Sequence, residues 1–218
     1  MKTALTGKRT HGFTLVELMT VLGVLAILAF MLFPNIGREN RTRAPIIHCV
    51  NNLKQVGLAF HLWAGDHNDR FPMQVSTNAG GTTEWTDGPY AFLHFQVMSN
   101  ELSTPKILVC PADPKPKYAT TFSAGLDNTK ISYFVGVDAT PTNVEMFLAG
   151  DRNITNGLRK KYGILELTTN QPAGWTHELH DRHGNVGMAD GSVQHFTTSR
   201  LRAAIKETGV ATNRLAMP

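Results

Sequence analysis

Three histidines, His177, His180 and His183, recur every third residue in the run WTHELHDRHG, with Asp181 among them. Imidazole and carboxylate are donors that suit zinc. A strand or loop fans an i, i+3, i+6 row around its axis, however, and no distant partner is evident in the chain. The expectation for these side chains is therefore polar surface or hydrogen bonds that brace a turn, with no metal and no other cofactor. Ser192, beside Asp190 and His183, has the residue types of a hydrolytic triad. Yet Asp190 and Ser192 flank a tight turn and no nucleophile-elbow pattern surrounds the serine, so no catalytic residue is assigned. GGTTEWTDG, at 80–88, contains glycine but lacks the following Lys-Ser/Thr of a phosphate-binding loop. Asp66, Asn68 and Asp69 offer oxygen atoms to calcium, but the remaining EF-hand spacing is missing and they read as solvated turn residues. Cys49 and Cys110 are the two cysteines; they have no metal-ligand spacing and form at most one disulfide.

These residues need elements to hold them. NVGMADGSVQHF, at 185–196, is two alternating runs around Asp190-Gly191, the dipeptide of a two-residue type I′ hairpin. ISYFVGVD, VEMFLAGD and YGILELT are short, rich in β-branched and aromatic residues, and bounded by turn formers, so each predicts a strand. TTSRLRAAIKETG predicts a short helix capped by Thr198 or Ser199, with Leu201, Ala204 and Ile205 on its apolar side and Gly209 at its end. YAFLHFQVMSNEL predicts another short helix, and KILVCPAD a buried strand or turn. In PIIHCVNNLKQVGLAFHLWAGD, residues Ile46, Val50, Leu53, Gly57, Phe60 and Ala64 form an apolar stripe of helical period, with Pro45 suited to the first helical position. HNDRFPMQVSTNAGGTTEWTDGP, which follows, reads as a surface loop, and 210–218 as a mobile tail.

Ahead of all this, Phe13 to Phe33 is a run of 21 residues with a single charge, Glu17. As a helix it reaches about 30 Å, the hydrocarbon thickness of a bilayer. A secretory signal peptide would carry small residues at a cleavage site after the run, and FPNIGREN has no such pattern. A plain anchor leaves Glu17 unexplained, because a carboxylate at bilayer depth costs roughly 2.5–3.5 kcal/mol and needs a partner. The formal charge of +4 is concentrated at this end: Lys2, Lys8 and Arg9 precede the run with no acid, and without them 18 of the 21 basic residues face 17 acids. The remainder is nearly neutral, so no nucleic-acid partner is expected.

GFTLVE, at 12–17, resembles the cleavage and methylation signal of type IV pilins and type II secretion pseudopilins. The resemblance implies that a prepilin peptidase cuts the Gly12–Phe13 bond and that the new amine of Phe13 is N-methylated. It places the family's glutamate on Glu17, which neutralises the Phe13 amine of a neighbouring subunit in the assembled filament, and its frequent proline on Pro34. CVNNLKQVGLAFHLWAGDHNDRFP, VCPAD and RHGNVGMADGSVQHF resemble a pilin-like family labelled by an H-x9-DG motif. His180 has the labelled spacing to Asp190-Gly191, and His183 the better local context; the choice stays open. The two cysteines fall where this family tends to carry them. A Cys49–Cys110 bond would pin the helix to the sheet, with buried free thiols as the alternative.

The expected architecture is α+β and pilin-like: a leader over 1–12, a transmembrane polymerisation helix over 13–34, an amphipathic continuation over 35–66 that kinks near 34–45, a globular head with a small antiparallel sheet over 67–209, and the tail. The expected role is a non-enzymatic pseudopilin of a type II secretion-like system in the bacterial inner membrane, with its head outside the cytoplasm. Its partners would be the prepilin peptidase and methylase, identical or related subunits, and an inner-membrane assembly platform driven by a separate ATPase. A type IV pilus subunit, or a membrane-tethered module that binds a glycan or metal through the His-rich hairpin and the Trp85 loop, are the alternatives.

Overall fold

A computed structural model describes residue 12 and residues 14–32, 39–115 and 118–218. The leader 1–11, Phe13, Pro34 and the kink expected near it lie outside the described residues. The chain divides into two compact units, Met1–Thr42 and Arg43–Pro218. In the first, α1 spans Leu15–Leu32 and its apolar side chains are exposed, Leu15, Leu18, Leu22 and Ile27 among them. Its 18 residues reach about 27 Å. Among the described residues no helix is long and apolar enough to cross a membrane.

Helix α2 spans Glu39–Gly65, so it starts before Pro45 rather than at it. Its buried positions, Cys49, Leu53, Val56, Phe60 and Trp63, are spaced by three or four residues and form one stripe. After α2 the chain does not stay on the surface as expected. Three short 3-10 turns follow, and Phe71, Met73 and Val75 are buried. Phe71 meets Phe60 edge to face with centroids 5.7 Å apart. Helices α3 (Ala91–Gln96) and α4 (Ser99–Leu102) come next, and a 3-10 turn at Pro105–Leu108 delivers Cys110.

The sheet comprises β1 (Tyr133–Gly136), β2 (Phe147–Asp151), β4 (Ile164–Thr168), β6 (Gly184–Met188), β7 (Val193–Phe196) and β8 (Thr212–Ala216), with β3 (Ile154–Thr155) and β5 (Gly174–Trp175) forming a separate two-stranded ribbon. The order is β4-β8-β1-β2-β6-β7, and every pairing is antiparallel. The chain's end therefore corrects the expected mobile tail: β8 lies between β4 and β1, and Leu215, Ala216 and Met217 are buried.

Every residue of β1, β2 and β6 is buried, which removes the alternation of a half-exposed strand. The reason is a helix on each face. Tyr133, Val135 and Leu148 join the cluster built on α2. Phe134, Phe147, Val186 and Met188 join a second cluster with Leu201, Ala204 and Ile205 of α5 (Thr198–Glu207). The cap of α5 is Thr197, whose Oγ1 accepts from Arg200 N at 3.2 Å, one residue earlier than expected.

Candidate functional site

At the amino terminus, Thr14 and Glu17 close a capping box. Glu17 Oε2 accepts from Thr14 N and from Thr14 Oγ1, both at 2.9 Å, and Glu17 N donates back to Thr14 Oγ1 at 3.3 Å. Thr14-x-x-Glu17 is the sequence signature of that motif, so Glu17 has a local role in addition to the one expected in assembly. Both contacts fall on Oε2, and Oε1 has no hydrogen-bond partner among the described residues. Gly12 is exposed. Phe13, the expected site of methylation, lies outside the described residues.

In the head, the structure joins Cys49 of α2 to Cys110, with their Cα atoms 5.1 Å apart across a sequence separation of 61. The pair lies beside two other polar side chains. His180 Nε2 is 3.4 Å from Cys110 Sγ and 3.4 Å from Asp151 Oδ2. One donor atom from each of Cys49, Cys110, Asp151 and His180 lies within 4.8 Å of all the others, and the first three residues are fully buried. This corrects the expectation that no distant partner stands near the histidine row. The partners come from α2, the turn after 108 and the end of β2, far apart in sequence, so spacing within one segment could not reveal them.

The histidines of the row have separate fates. His180 turns inward, with its side chain almost wholly buried. His183 instead stacks on His195, with ring centroids 5.3 Å apart, and its Nδ1 donates to Asp181 O at 2.9 Å. His177 takes no part in the cluster. His180, Asp181 and Arg182 all have positive φ, at 48°, 49° and 63°. Side chains in that region cost roughly 1–2 kcal/mol each, so neighbouring contacts must hold the loop.

Those contacts come from the end of β2. Asn153 Nδ2 lies 3.1, 2.9 and 3.0 Å from the carbonyl oxygens of Thr176, Leu179 and His183. Arg152 grips Asp113 with two bonds of 2.6 and 2.7 Å and reaches Glu178 Oε2 at 2.8 Å. Arg152 thereby ties the cysteine turn to the histidine loop. Asp151 Oδ2 accepts from Asn185 N at 2.7 Å and Asn185 Nδ2 at 2.9 Å, while Asn185 Oδ1 accepts from His195 Nδ1 at 2.9 Å. Asp151 Oδ1 is buried with no partner. None of Asp151, Arg152 and Asn153 was singled out from sequence; the visible signal was a polar triplet directly after the apolar strand FLAG.

Burial pushes the Asp151 carboxyl up to about 7, against the two Asn185 bonds that favour its charge. Burial likewise holds His180 down at about 4, helped by nearby His195. The 3.4 Å contact between them is thus a neutral imidazole facing a carboxyl group, not an ion pair.

Asp190 and Gly191 close the β6–β7 hairpin, though not as a type I′ turn. Gly191 has φ +82° and Asp190 has no positive φ. Gly191 N donates to Met188 O at 3.0 Å, Met188 N to Ser192 O at 2.8 Å, and Ser192 N to Asp190 Oδ1 at 2.8 Å. This is the pattern of a three-residue loop with glycine in the left-handed position. The Asp190 carboxylate is engaged in its own turn, which removes it from any triad with Ser192.

Residues 7–33 match the family described as the prokaryotic N-terminal methylation motif. No curated protein and no solved structure matches the chain.

Proposed function

Residues 7–33 carry the prepilin-type signal of type IV pilin-like proteins, and from that premise we propose that the chain is a structural subunit of a type II secretion-like filament. The leader through Gly12 directs the chain to a prepilin peptidase. Cleavage at Gly12–Phe13 frees an amine that is then methylated and stays basic. Residues 13–34 lie in the inner membrane, and the head stands outside the cytoplasm. The single observation that supports a pilin-like subunit is the motif match over the run that contains Glu17; the deletion below distinguishes secretion from pilus assembly.

Physical support comes from α1. A helix apolar on every side needs an apolar surround, either lipid or other helices. In a filament those surrounds succeed one another. Glu17 Oε2 caps the helix, and Oε1, which has no partner among the described residues, can face a neighbour's amine. In low dielectric that attraction offsets the desolvation of both charges. A short filament of such subunits transmits force to move folded cargo, and ATP is hydrolysed in a separate cytoplasmic motor.

The test is a clean deletion in the native host, scored for cargo in the medium and for surface pili. Loss of secretion with pili retained supports the reading. Loss of surface pili with secretion retained contradicts it and assigns the chain to a type IV pilus.

A further inference from the structure

Among the described residues, Cys49, Cys110, Asp151 and His180 form a group of side chains close enough to hold a single metal ion. We propose that, with both cysteines reduced, these four residues form a tetrahedral zinc site, and that the Cys49–Cys110 disulfide is the oxidised, metal-free state of the same site. Two thiolates, an imidazole and a carboxylate are a donor set that Zn2+ accepts.

The distances fit. Bonds of about 2.0 Å to nitrogen and oxygen and about 2.3 Å to sulfur, set tetrahedrally, place N and S about 3.6 Å apart and N and O about 3.3 Å apart. His180 Nε2 stands 3.4 Å from Cys110 Sγ and 3.4 Å from Asp151 Oδ2. All four donor atoms lie within 4.8 Å of one another, and the two sulfurs must separate to about 3.8 Å, which reduction of their bond permits.

Three further observations point to a ligand. Among the described residues Asp151 Oδ1 is buried and has no partner, so a lone pair is unused on the carboxylate whose Oδ2 faces His180. The donors already have an outer shell: Asn185 holds Asp151 and is itself held by His195, as metal-binding carboxylates are held elsewhere. His180 is turned inward by a loop with three successive positive-φ residues, a conformation that hydrogen bonds of polar surface would not require. A surface cleft of about 420 Å³ is lined by His48, Val109 and Pro111, the sequence neighbours of the two buried cysteines.

The exchange balances with a dithiol reductant. The dithiol is oxidised to its own disulfide and passes two electrons and two protons to the Cys49–Cys110 bond, which opens to two thiols. Zinc binding then releases both thiol protons to solvent.

The test uses the full chain in detergent micelles, with Co2+ as a spectroscopic stand-in for Zn2+. After anaerobic reduction and removal of the reductant, the chain should bind one Co2+ with thiolate-to-cobalt charge-transfer bands and the intense ligand-field bands of tetrahedral cobalt. Zn2+ should displace it, and the oxidised chain should take up none. Asp151→Asn and His180→Ala should each weaken binding by roughly a hundredfold while still forming the disulfide on reoxidation. The wild-type titration decides by itself. Reduced chain that takes up no Co2+, or takes it up without thiolate bands, overturns the site, as does unchanged affinity in both variants.

Discussion

Gly191 at the hairpin tip lies against Gly57 of α2: a Cβ on Gly57 would stand 3.5 Å from the Gly191 Cα. The same helix carries Cys49 two turns earlier, so α2 meets the hairpin tip at one point and is bonded to the cysteine turn at another.

The two glycines should respond differently. A Cβ at Gly191 meets His61 at ordinary contact distances of 3.4 and 3.5 Å, so its cost comes from φ +82°. Gly191→Ala should cost about 1–2 kcal/mol, and Gly191→Val about 1–3 kcal/mol. Gly57→Ala makes only ordinary contact in a helix interior and should be neutral or stabilising by up to about 1 kcal/mol. Denaturant unfolding of the full chain in micelles, followed by tryptophan fluorescence, separates the two. Equal losses at both positions would show that the cost is space rather than backbone.

The disulfide closes a loop across 61 positions, which corresponds to about 4 kcal/mol of stabilisation in the chain-entropy treatment. Non-reducing peptide mapping should recover Cys49 and Cys110 cross-linked in protein from the extracytoplasmic side. The double variant Cys49→Ser/Cys110→Ser should unfold at markedly lower denaturant. Two freely alkylatable thiols in that material would contradict the pairing.

Acid sensitivity should follow His94. Its ring is fully buried, with Nδ1 2.8 Å from Thr82 Oγ1 and Nε2 without a partner among the described residues. Burial holds it down at about 4, below the ordinary 6.5. The unfolded chain therefore takes up the proton first. The His94 contribution is complete above about pH 6.5 and is lost as pH falls towards 4, by on the order of 3 kcal/mol. His94→Gln should flatten that part of the profile. His180 adds a slope of the same sign and Asp151, whose carboxyl is pushed up to about 7, one of the opposite sign, so the comparison is between wild type and variant. An unchanged slope in His94→Gln would exclude His94 as the cause.

Much of this was legible from the chain, and the misses share a cause. The apolar stripe of α2, the strands and the hairpin all leave local periodic signals. Strand β8 did not, because TNRLA is buried only by pairing with β1 and β4, which is long-range information. The Cys–Asp–His cluster was invisible for the same reason: its members meet only when the end of β2, the cysteine turn and the histidine loop are folded together. The type I′ reading failed because Asp190 uses its carboxylate to cap Ser192 N and keeps its own φ negative. The capping box is local and leaves its signature in the spacing of Thr14 to Glu17.

That capping box sharpens the test of Glu17. Glutamine can serve at the third position of a capping box, so Glu17→Gln should preserve the helix start while removing the charge. Membrane insertion should be intact or improved, and incorporation into filaments should fall sharply. Wild-type incorporation of Glu17→Gln would mean that Glu17 acts only as a cap.

The most direct test of the account is the amino terminus of the mature protein. The full chain, co-expressed with a prepilin peptidase, should yield a product that begins at Phe13 and carries one added methyl group on its terminal amine, read by intact mass and terminal sequencing. A terminus beyond residue 30, or a chain that keeps its first twelve residues in the presence of active peptidase, would contradict it.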